Sequence, residues 1–296
     1  MLEMIVVFFA IFCLGDDFRR IRAEKKFIAP AFLLATAAMG ETVVFPHNGA
    51  IYASMIDENS SGLFVCEEPK QHDEDAFLTA RRIGDTVKNL TPSFPEGKLR
   101  LLSPGWEHEF DPQKGLTGKK ALPIPDIMTK PALCLQVDYN GDGRSDVIVF
   151  SSEKYDAKAR IYYGRADGSY AEPFVFQIDG KDFDATGIRS PHFVNLDDDD
   201  DFDFIHLNAE GQLIYYENRN TNSEPLYSTG MKLETKILLA ATPCDWDRDQ
   251  LEDLIVMTKE GKIGWMKQTE KTGHAPNFSN VIFFKSNEIN RAIPSK

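Results

Sequence analysis

Three short acidic segments constrain this chain more than any other feature, because each repeats the same spacing of side-chain oxygens over nine residues. They run over residues 138–146, 195–203 and 245–253, and each has Asp or Asn at positions 1, 3, 5 and 9. An apolar run follows each segment directly, beginning at Val147, Phe204 and Leu254. The pattern predicts three copies of one unit, in which a cation-binding loop leads into a β-strand.

The spacing within each segment suits Ca²⁺, which takes about six to eight oxygen ligands. Side chains at positions 1, 3 and 5 would point inward, the backbone carbonyl at position 7 would add a ligand, and the carboxylate at position 9 would close the site. We expect two to three Ca²⁺ ions. The candidate ligands are Asp138, Asn140, Asp142, Arg144, Asp146, Asn195, Asp197, Asp199, Asp201, Asp203, Asp245, Asp247, Asp249, Leu251 and Asp253.

Position 6 of each segment must turn sharply, and Gly143 does so without steric cost. Asp200 and Gln250 hold this position in the other two segments. Asp tolerates a positive φ better than Gln does, so the third segment is expected to have the least regular turn.

An EF-hand and a metal-free turn are the two alternatives to a calcium loop between strands. An EF-hand needs Glu at position 12 and flanking helices, whereas position 12 here is Val149, His206 or Val256 in strand-like surroundings. A metal-free turn is the other alternative, because Asp and Asn hydrogen-bond their own backbone in turns. Five consecutive aspartates at 197–201 argue against it, since like charges so close together repel unless a cation neutralises them.

These segments, with the strands after them, resemble FG-GAP/VCBS repeats, the blades of integrin-α-type β-propellers. Tight Glu-Gly turns lead into aromatic strands at Glu210-Gly211 and Glu260-Gly261, as such blades have after the metal loop. The resemblance covers about residues 131–290. It implies an all-β fold, a β-propeller of about four to five four-stranded blades, closed or incomplete, with structural Ca²⁺ in inter-strand loops.

The expected organisation is an N-terminal hydrophobic segment or signal peptide over residues 1–40, followed by the propeller over 41–296. Residues 41–130 are expected to form one degenerate blade with insertions, including a short helix near 76–87 and a loop around Trp106-Glu107-His108-Glu109. Residues 131–190, 191–240 and 241–290 are expected to form the blades with calcium loops. A basic stretch, a short apolar run and small residues near Ala37 predict a signal peptide. The chain is therefore expected to be secreted, cell-surface or periplasmic, with no stable membrane span once mature.

Charge and cysteine content limit the function classes. The net charge is −13, and 14 of the 46 acidic residues lie in the three segments. A nucleic-acid partner is not expected, because it needs a basic face. The four cysteines lack zinc-site spacing, so free thiols and one disulfide to Cys66 both remain open.

The sequence contains no nucleophile elbow, no HExxH motif and no glycine-rich phosphate loop. This absence predicts that the chain is not an enzyme. The main hypothesis is an exported calcium-binding propeller that binds a protein or a polysaccharide. The alternative is a propeller domain, catalytic or not, of a secreted carbohydrate-active hydrolase or lyase. His192 and His206 flank the second segment and are expected to pack within strands.

Overall fold

The described part of the chain is built of β-strands, with one short 3-10 turn at Pro95–Gly97 and no α-helix. In this computed structural model the described residues are 41–48, 50–56, 61–67, 80–124, 132–151, 156–197, 199–233, 236–259, 262–271 and 275–284. Residues 1–40, where the sequence predicts a signal peptide, lie outside them. None of the described residues belongs to a helix long and apolar enough to cross a membrane.

Five antiparallel sheets of four strands each make up the fold, and each is formed by one stretch of chain. The first contains β1 (Glu41–His47), β2 (Ala50–Ile56), β3 (Ser61–Glu67) and β4 (Ala80–Gly84). The second contains β5 (Thr91–Ser93), β6 (Arg100–Ser103), β7 (Trp106–Asp111) and β8 (Gly115–Ala121). The third contains β9 (Ala132–Val137), β10 (Asp146–Ser151), β11 (Ala159–Tyr162) and β12 (Phe174–Val175).

The last two sheets follow the same plan, with a small hairpin added to the chain near each. A hairpin of β13 (Gln177–Ile178) and β14 (Lys181–Asp182) comes before the fourth sheet. That sheet contains β15 (Arg189–Val194), β16 (Asp203–Leu207), β17 (Leu213–Tyr216) and β18 (Met231–Lys232). The fifth contains β19 (Leu238–Cys244), β20 (Asp253–Thr258), β21 (Ile263–Met266) and β24 (Ile282–Phe283). A hairpin of β22 (Gln268–Glu270) and β23 (Asn277–Phe278) is inserted within it.

The five sheets close into a ring, so the fold is a five-bladed β-propeller. The first strands of the blades are innermost, and each packs against the first strand of the next blade. The ring closes where β19 of the last blade packs on β1 of the first. The Thr242 hydroxyl donates a hydrogen bond to the Val44 carbonyl across this seam. Closure packs the first blade against the last, so the apolar faces that these two blades would expose in an open ring are covered.

Apolar clusters between neighbouring blades hold the ring together. The seam between the first and last blades buries Val44 and Ile51 against Leu239 and Ile255. Phenylalanine dominates between the third and fourth blades, where Phe150 stacks on Phe204 with ring centroids 5.8 Å apart. Each such cluster fixes the position of the loops at the ends of its strands.

Residues 41–130 differ from expectation, because their described part forms two complete sheets. The Trp106-Glu107-His108-Glu109 stretch belongs to β7, and Ala80–Gly84 is a strand, not a helix. Within β7 the buried His108 ring is 2.7 Å from the Ser103 hydroxyl. Prolines such as Pro92 suggested irregular connections, yet Pro92 lies in the short inner strand β5, paired with Leu101. Buried Leu90 and Leu101 join this blade to the first.

The thiols of Cys134 and Cys244 are free. Burial raises the pKa of Cys134 to about 12, so this thiol is unreactive at neutral pH. The side chain of Cys66 lies outside the described part of the chain.

Candidate metal centres

The three acidic segments are equivalent loops, each of which joins the innermost strand of a blade to the second strand. They connect β9 to β10, β15 to β16, and β19 to β20. Their first residues, Asp138, Asn195 and Asp245, all line one cavity at the propeller axis. The loops therefore open toward the same end of the propeller.

The Asp at position 9 is a structural clamp in every loop. Asp146, Asp203 and Asp253 are each fully buried. One carboxylate oxygen accepts the N–H of position 2, and the other accepts an N–H two residues past the third strand, at distances of 2.8–3.1 Å. The donors are Tyr139 and Gly164 in the first loop, Leu196 and Asn218 in the second, and Trp246 and Gln268 in the third.

The first and third loops share one turn organised by the carboxylate at position 1. Asp138 and Asp245 each use both side-chain oxygens to accept the N–H groups of positions 5 and 6. The distances are 2.9 and 2.8 Å in the first loop and 3.0 and 3.0 Å in the third.

The backbone takes the same conformation in these two loops. Gly141 and Gly143 have φ of 70° and 80°, and the corresponding Arg248 and Gln250 have φ of 65° and 71°. The expectation that Gln250 would spoil the third turn is therefore not met. Two non-glycine residues in the left-handed region carry strain of about 1–2 kcal/mol each, which the hydrogen bonds to Asp245 offset.

The second loop is built differently because position 1 is an amide. The Asn195 side-chain N–H donates to the Asp199 carbonyl, and its oxygen lies 3.3 Å from the Lys271 ammonium. None of the loop residues described here has a positive φ. Asp197 and Asp201 are buried, with 2% and 6% of their surface exposed. The Asp201 Oδ1 atom is buried without a hydrogen-bond partner.

Basic side chains reach the carboxylates of the first and third loops. Arg144 pairs with Asp142 in the first loop. In the third, the Lys267 ammonium contacts Asp247 and lies 2.7 Å from an Asp249 oxygen. Among the described residues, no Lys or Arg forms such a pair with an aspartate of the second loop.

In all three loops, burial raises the pKa of aspartate side chains, because the loop supplies too few hydrogen bonds and positive charges to offset the loss of water. Burial raises the pKa of Asp146 and of Asp253 to about 6. In the second loop burial, with repulsion from Asp199, raises the pKa of Asp197 to about 6 and that of Asp201 to about 7. Burial likewise raises the pKa of Asp203 to about 7. Each loop therefore holds negative charge that a bound cation would stabilise.

The oxygen donors fit a hard cation. Carboxylate oxygens of Asp245, Asp247 and Asp253 lie within 4.8 Å of one another, and Asp247 Oδ1 is buried without a partner. Arg144 and Leu251 were predicted to contribute carbonyls only. The sequence gives no sign that the Arg144 guanidinium turns back onto Asp142 of its own loop. Lys267 lies between β21 and β22, far along the chain from the third loop, and only the fold brings it to Asp247 and Asp249.

A cavity of about 480 Å³ lies on the propeller axis between the ends of the inner strands. Its wall combines aromatic rings with polar groups, and Glu252 contributes a half-buried carboxylate beside Asp245. Sequence reasoning missed Glu252 because it occupies position 8, between the predicted ligands. The other side chains in this wall include Phe94, Gln136, His192, Phe193 and Phe202.

Comparison with known proteins gives similarity in structure only. No protein-family model matches the chain, and no curated protein matches it. Similar solved structures include a bifunctional GH43-CE protein of Bacteroides eggerthii, at 13% identity and a TM-score of 0.42 over 77% of this chain and 36% of that one. The Dos1 propeller matches at 10% identity and a TM-score of 0.35, over 81% of this chain and 68% of that one.

A third similar structure is an exo-β-1,3-galactanase from Phanerochaete chrysosporium crystallised with β-1,3-galactotriose. It matches at 11% identity and a TM-score of 0.38, over 80% of this chain and 49% of that one. The chain thus spans about a third and about half of the two carbohydrate-active proteins. At these identities the similarity shows the fold alone, and the FG-GAP/VCBS resemblance stays a prediction.

The comparisons correct one expectation. The absence of a catalytic motif led to the prediction that the chain is not an enzyme. The structures similar in fold include a bifunctional GH43-CE protein and an exo-β-1,3-galactanase, and the absence of a sequence motif carries no conclusion about catalysis.

Proposed function

We propose that this chain is the calcium-stabilised propeller of an exported, carbohydrate-active protein. In this proposal the three acidic loops of FG-GAP/VCBS type bind structural Ca²⁺, and the axial cavity receives a saccharide. The observation that carries it is the repeated loop, in which the same buried aspartate clamps three different blades, and in which carboxylate oxygens of Asp245, Asp247 and Asp253 gather within 4.8 Å of one another.

Calcium would be held by the side-chain oxygens at positions 1, 3 and 5 and the carbonyl at position 7. Asp247 Oδ1, at position 3 of the third loop, supports this role, because a buried carboxylate oxygen without a partner is costly. The bound ion supplies positive charge that offsets the repulsion between carboxylates. Because it binds the folded loops, it also stabilises the folded state by mass action. The position 9 aspartates keep their hydrogen bonds whether or not an ion is bound.

The axial cavity supports the saccharide part of the proposal. Ligand sites usually combine apolar and aromatic walls with a few polar groups that fix orientation. Phe94, Phe193 and Phe202 supply the rings, and Glu252 and His192 supply the polar groups. Sugar hydroxyls would donate to the Glu252 carboxylate, and the rings would cover the apolar faces of the sugar.

Glycoside hydrolysis is a second candidate function, favoured by the carboxylates that share this cavity. Hydrolysis of this kind generally uses two carboxyl groups on either side of the scissile bond. Glu252 lines the cavity and is not needed for a loop turn, so it would be the acid or base, and Asp138 or Asp245, which the loops hold in place, would be the second carboxylate.

The test is binding and hydrolysis of soluble galactan, mannan and β-glucan by the full chain, with Glu252→Gln and the exposed Glu172→Gln as a matched control. We expect Glu252→Gln to weaken binding at least tenfold, or to abolish release of reducing ends, while Glu172→Gln behaves as wild type. Equal binding by both variants, without hydrolysis by either, would contradict the axial site.

A further inference from the structure

A second cavity, of about 500 Å³, continues the axial cavity toward the first blade. The two cavities share the wall residues Phe94, Gly97, Cys244 and Asp245, so together they form one groove at the end of the propeller that carries the metal loops. Glu252 lines the axial part of this groove only. We call the other part the side cavity.

The side cavity has a basic wall. Lys98, which precedes β6, and Arg248 of the third loop both line it, and both are exposed to solvent. Among the described residues, no carboxylate forms an ion pair with Arg248. Asp245 is the one carboxylate in the described part of this wall, and both of its oxygens accept backbone N–H groups of the turn. The charges here therefore favour an anionic group.

Arg248 occupies its position at a cost to the turn. Its φ is 65°, a left-handed conformation that glycine adopts freely, and the equivalent residue of the first loop is Gly141, with φ of 70°. The turn N–H groups bond to Asp245 as they bond to Asp138 in the first loop, so the turn itself does not need an arginine. What the arginine adds is a guanidinium in the wall of the side cavity.

The rest of the wall can hold a sugar ring. Trp246 is half-buried there, and its ring is held against Phe284, with centroids 5.5 Å apart and planes inclined at 66°. Burial lowers the pKa of His47, so this wall residue is neutral at neutral pH and can exchange hydrogen bonds with hydroxyl groups. An aromatic surface beside polar and cationic groups suits a ligand that has both an apolar face and a charged substituent.

We propose that the side cavity is the subsite for the anionic group of an acidic saccharide, whose neighbouring sugar unit occupies the axial cavity. Arg248 binds the anionic oxygens through its planar fork of N–H donors, and Lys98 adds a second positive charge. The apolar face of the sugar lies on Trp246. The carboxylate of a uronic acid and the sulfate ester of a sulfated sugar offer the same anionic oxygens. This inference rests on the proposed function, because it names the class of saccharide that the axial cavity receives.

The test is calorimetric titration of the full chain with trisaccharides at one fixed Ca²⁺ concentration. The charged probes are the trimers of galacturonic acid and mannuronic acid and a sulfated galactose trimer. Their uncharged counterparts are the two methyl esters and the unsulfated galactose trimer. We expect at least one charged trimer to bind more tightly than its counterpart by about tenfold or more, the value of a charge-assisted contact. Whether a uronic acid or the sulfated trimer does so identifies the anionic group.

The variant Arg248→Gly isolates the arginine without endangering the fold, because the third loop then has the glycine of the first loop at this position. It should reduce the preference for the charged trimer to about threefold or less, since only Lys98 remains. The matched control is Gln250→Gly, which relieves the same strain in the same loop at a residue outside the side cavity. This control should keep the full preference.

Two results would overturn the inference and leave the axial saccharide site in place. One is equal affinity for every charged trimer and its uncharged counterpart. The other is a preference that is unchanged in Arg248→Gly, or that is lost equally in Gln250→Gly. If neither the trimers nor the neutral polysaccharides bind, the proposed function itself fails.

Discussion

The first and third loops reach the same conformation from different residues, whereas the second loop departs from both. Asp138 and Asp245 organise identical turns, although one turn uses two glycines and the other uses Arg248 and Gln250. The second loop has Asn195 at position 1. Its side-chain N–H donates a hydrogen bond to the Asp199 carbonyl, whereas the aspartates of the other loops accept backbone N–H groups of the turn. The carboxylate at position 1 thus decides the turn more strongly than glycine at position 6 does.

All three loops nevertheless share the clamp at position 9. Asp146, Asp203 and Asp253 each tie position 2 of the loop to the end of the third strand. The clamp is independent of the turn, so it keeps every loop in place while the metal-facing part varies. This separation lets one fold keep three equivalent loops in place while their turns differ.

The largest expected effect is the loss of stability when the position 9 aspartate is removed, and it should be seen in all three loops. Asp146→Ala, Asp203→Ala and Asp253→Ala each leave two buried N–H groups without an acceptor, which costs about 2–5 kcal/mol of the free energy of unfolding. Urea unfolding in EDTA measures this cost without a contribution from metal. The exposed Glu172→Ala should cost nothing measurable. A loss below about 1 kcal/mol in any loop would show that its clamp is not structural.

The second prediction is that the fourth blade, which carries the second loop, loses stability in acid because of His192. Burial lowers the pKa of His192 to about 4, and its ring lies 3.2 Å from the Ala241 carbonyl. Between pH 6.5 and 4 the unfolded chain binds a proton at this histidine and the folded chain does not. The free energy of unfolding should therefore decrease as the pH is lowered from 6.5 to 4, by about 3 kcal/mol in total.

The measurement compares urea unfolding of the wild type and His192→Gln at several pH values, so that titration of the aspartates cancels. The difference between the two proteins should change across the window, and a constant difference would contradict the assignment. Within the described residues, the four-stranded sheets of the third and fifth blades contain no histidine. Among the three blades with acidic loops, this acid sensitivity therefore belongs to the fourth.

The third prediction concerns the lysine that contacts the third loop. Asp247 and Asp249 raise the pKa of Lys267, and its ammonium would compete with a bound cation for their oxygens. Lys267→Met should raise the calcium affinity of this loop about threefold to tenfold, the value of a partly exposed ion pair. It should also lower the melting temperature in EDTA. Calorimetric titration with Ca²⁺ and a thermal melt test the two effects, and an unchanged affinity would rule out competition.

The smallest expected effect tests the conformational strain of the third turn. Gln250→Gly should stabilise the protein by about 0.5–1 kcal/mol, because glycine adopts a positive φ without steric cost. Asp200→Gly at the equivalent position should not stabilise it, since the backbone there is not in the left-handed region. Equal effects of the two substitutions on chemical unfolding would mean that the two turns do not differ.

Sequence reasoning located the blades with acidic loops, because the spacing of Asp138 to Asp146 and the apolar runs are local signals. It did not resolve residues 41–130, where β5 is three residues long and contains Pro92. Closure of the ring could not be predicted from the sequence either, because it depends on contacts between residues far apart in the chain, such as Val44 and Leu239. The roles of Lys267, Asn218 and Glu252 depend on strand register and inter-blade packing, which no local pattern encodes.

The central claim, that these loops bind structural Ca²⁺, is tested most directly by counting ions. The EDTA-treated full chain would be dialysed with and without millimolar CaCl₂, then examined by native mass spectrometry and by thermal melting. The account predicts two to three bound ions and a melting temperature several degrees higher with calcium. It also predicts one ion fewer in each of Asp142→Ala and Asp249→Ala. A chain that binds no ion and melts at the same temperature in both conditions would contradict the account.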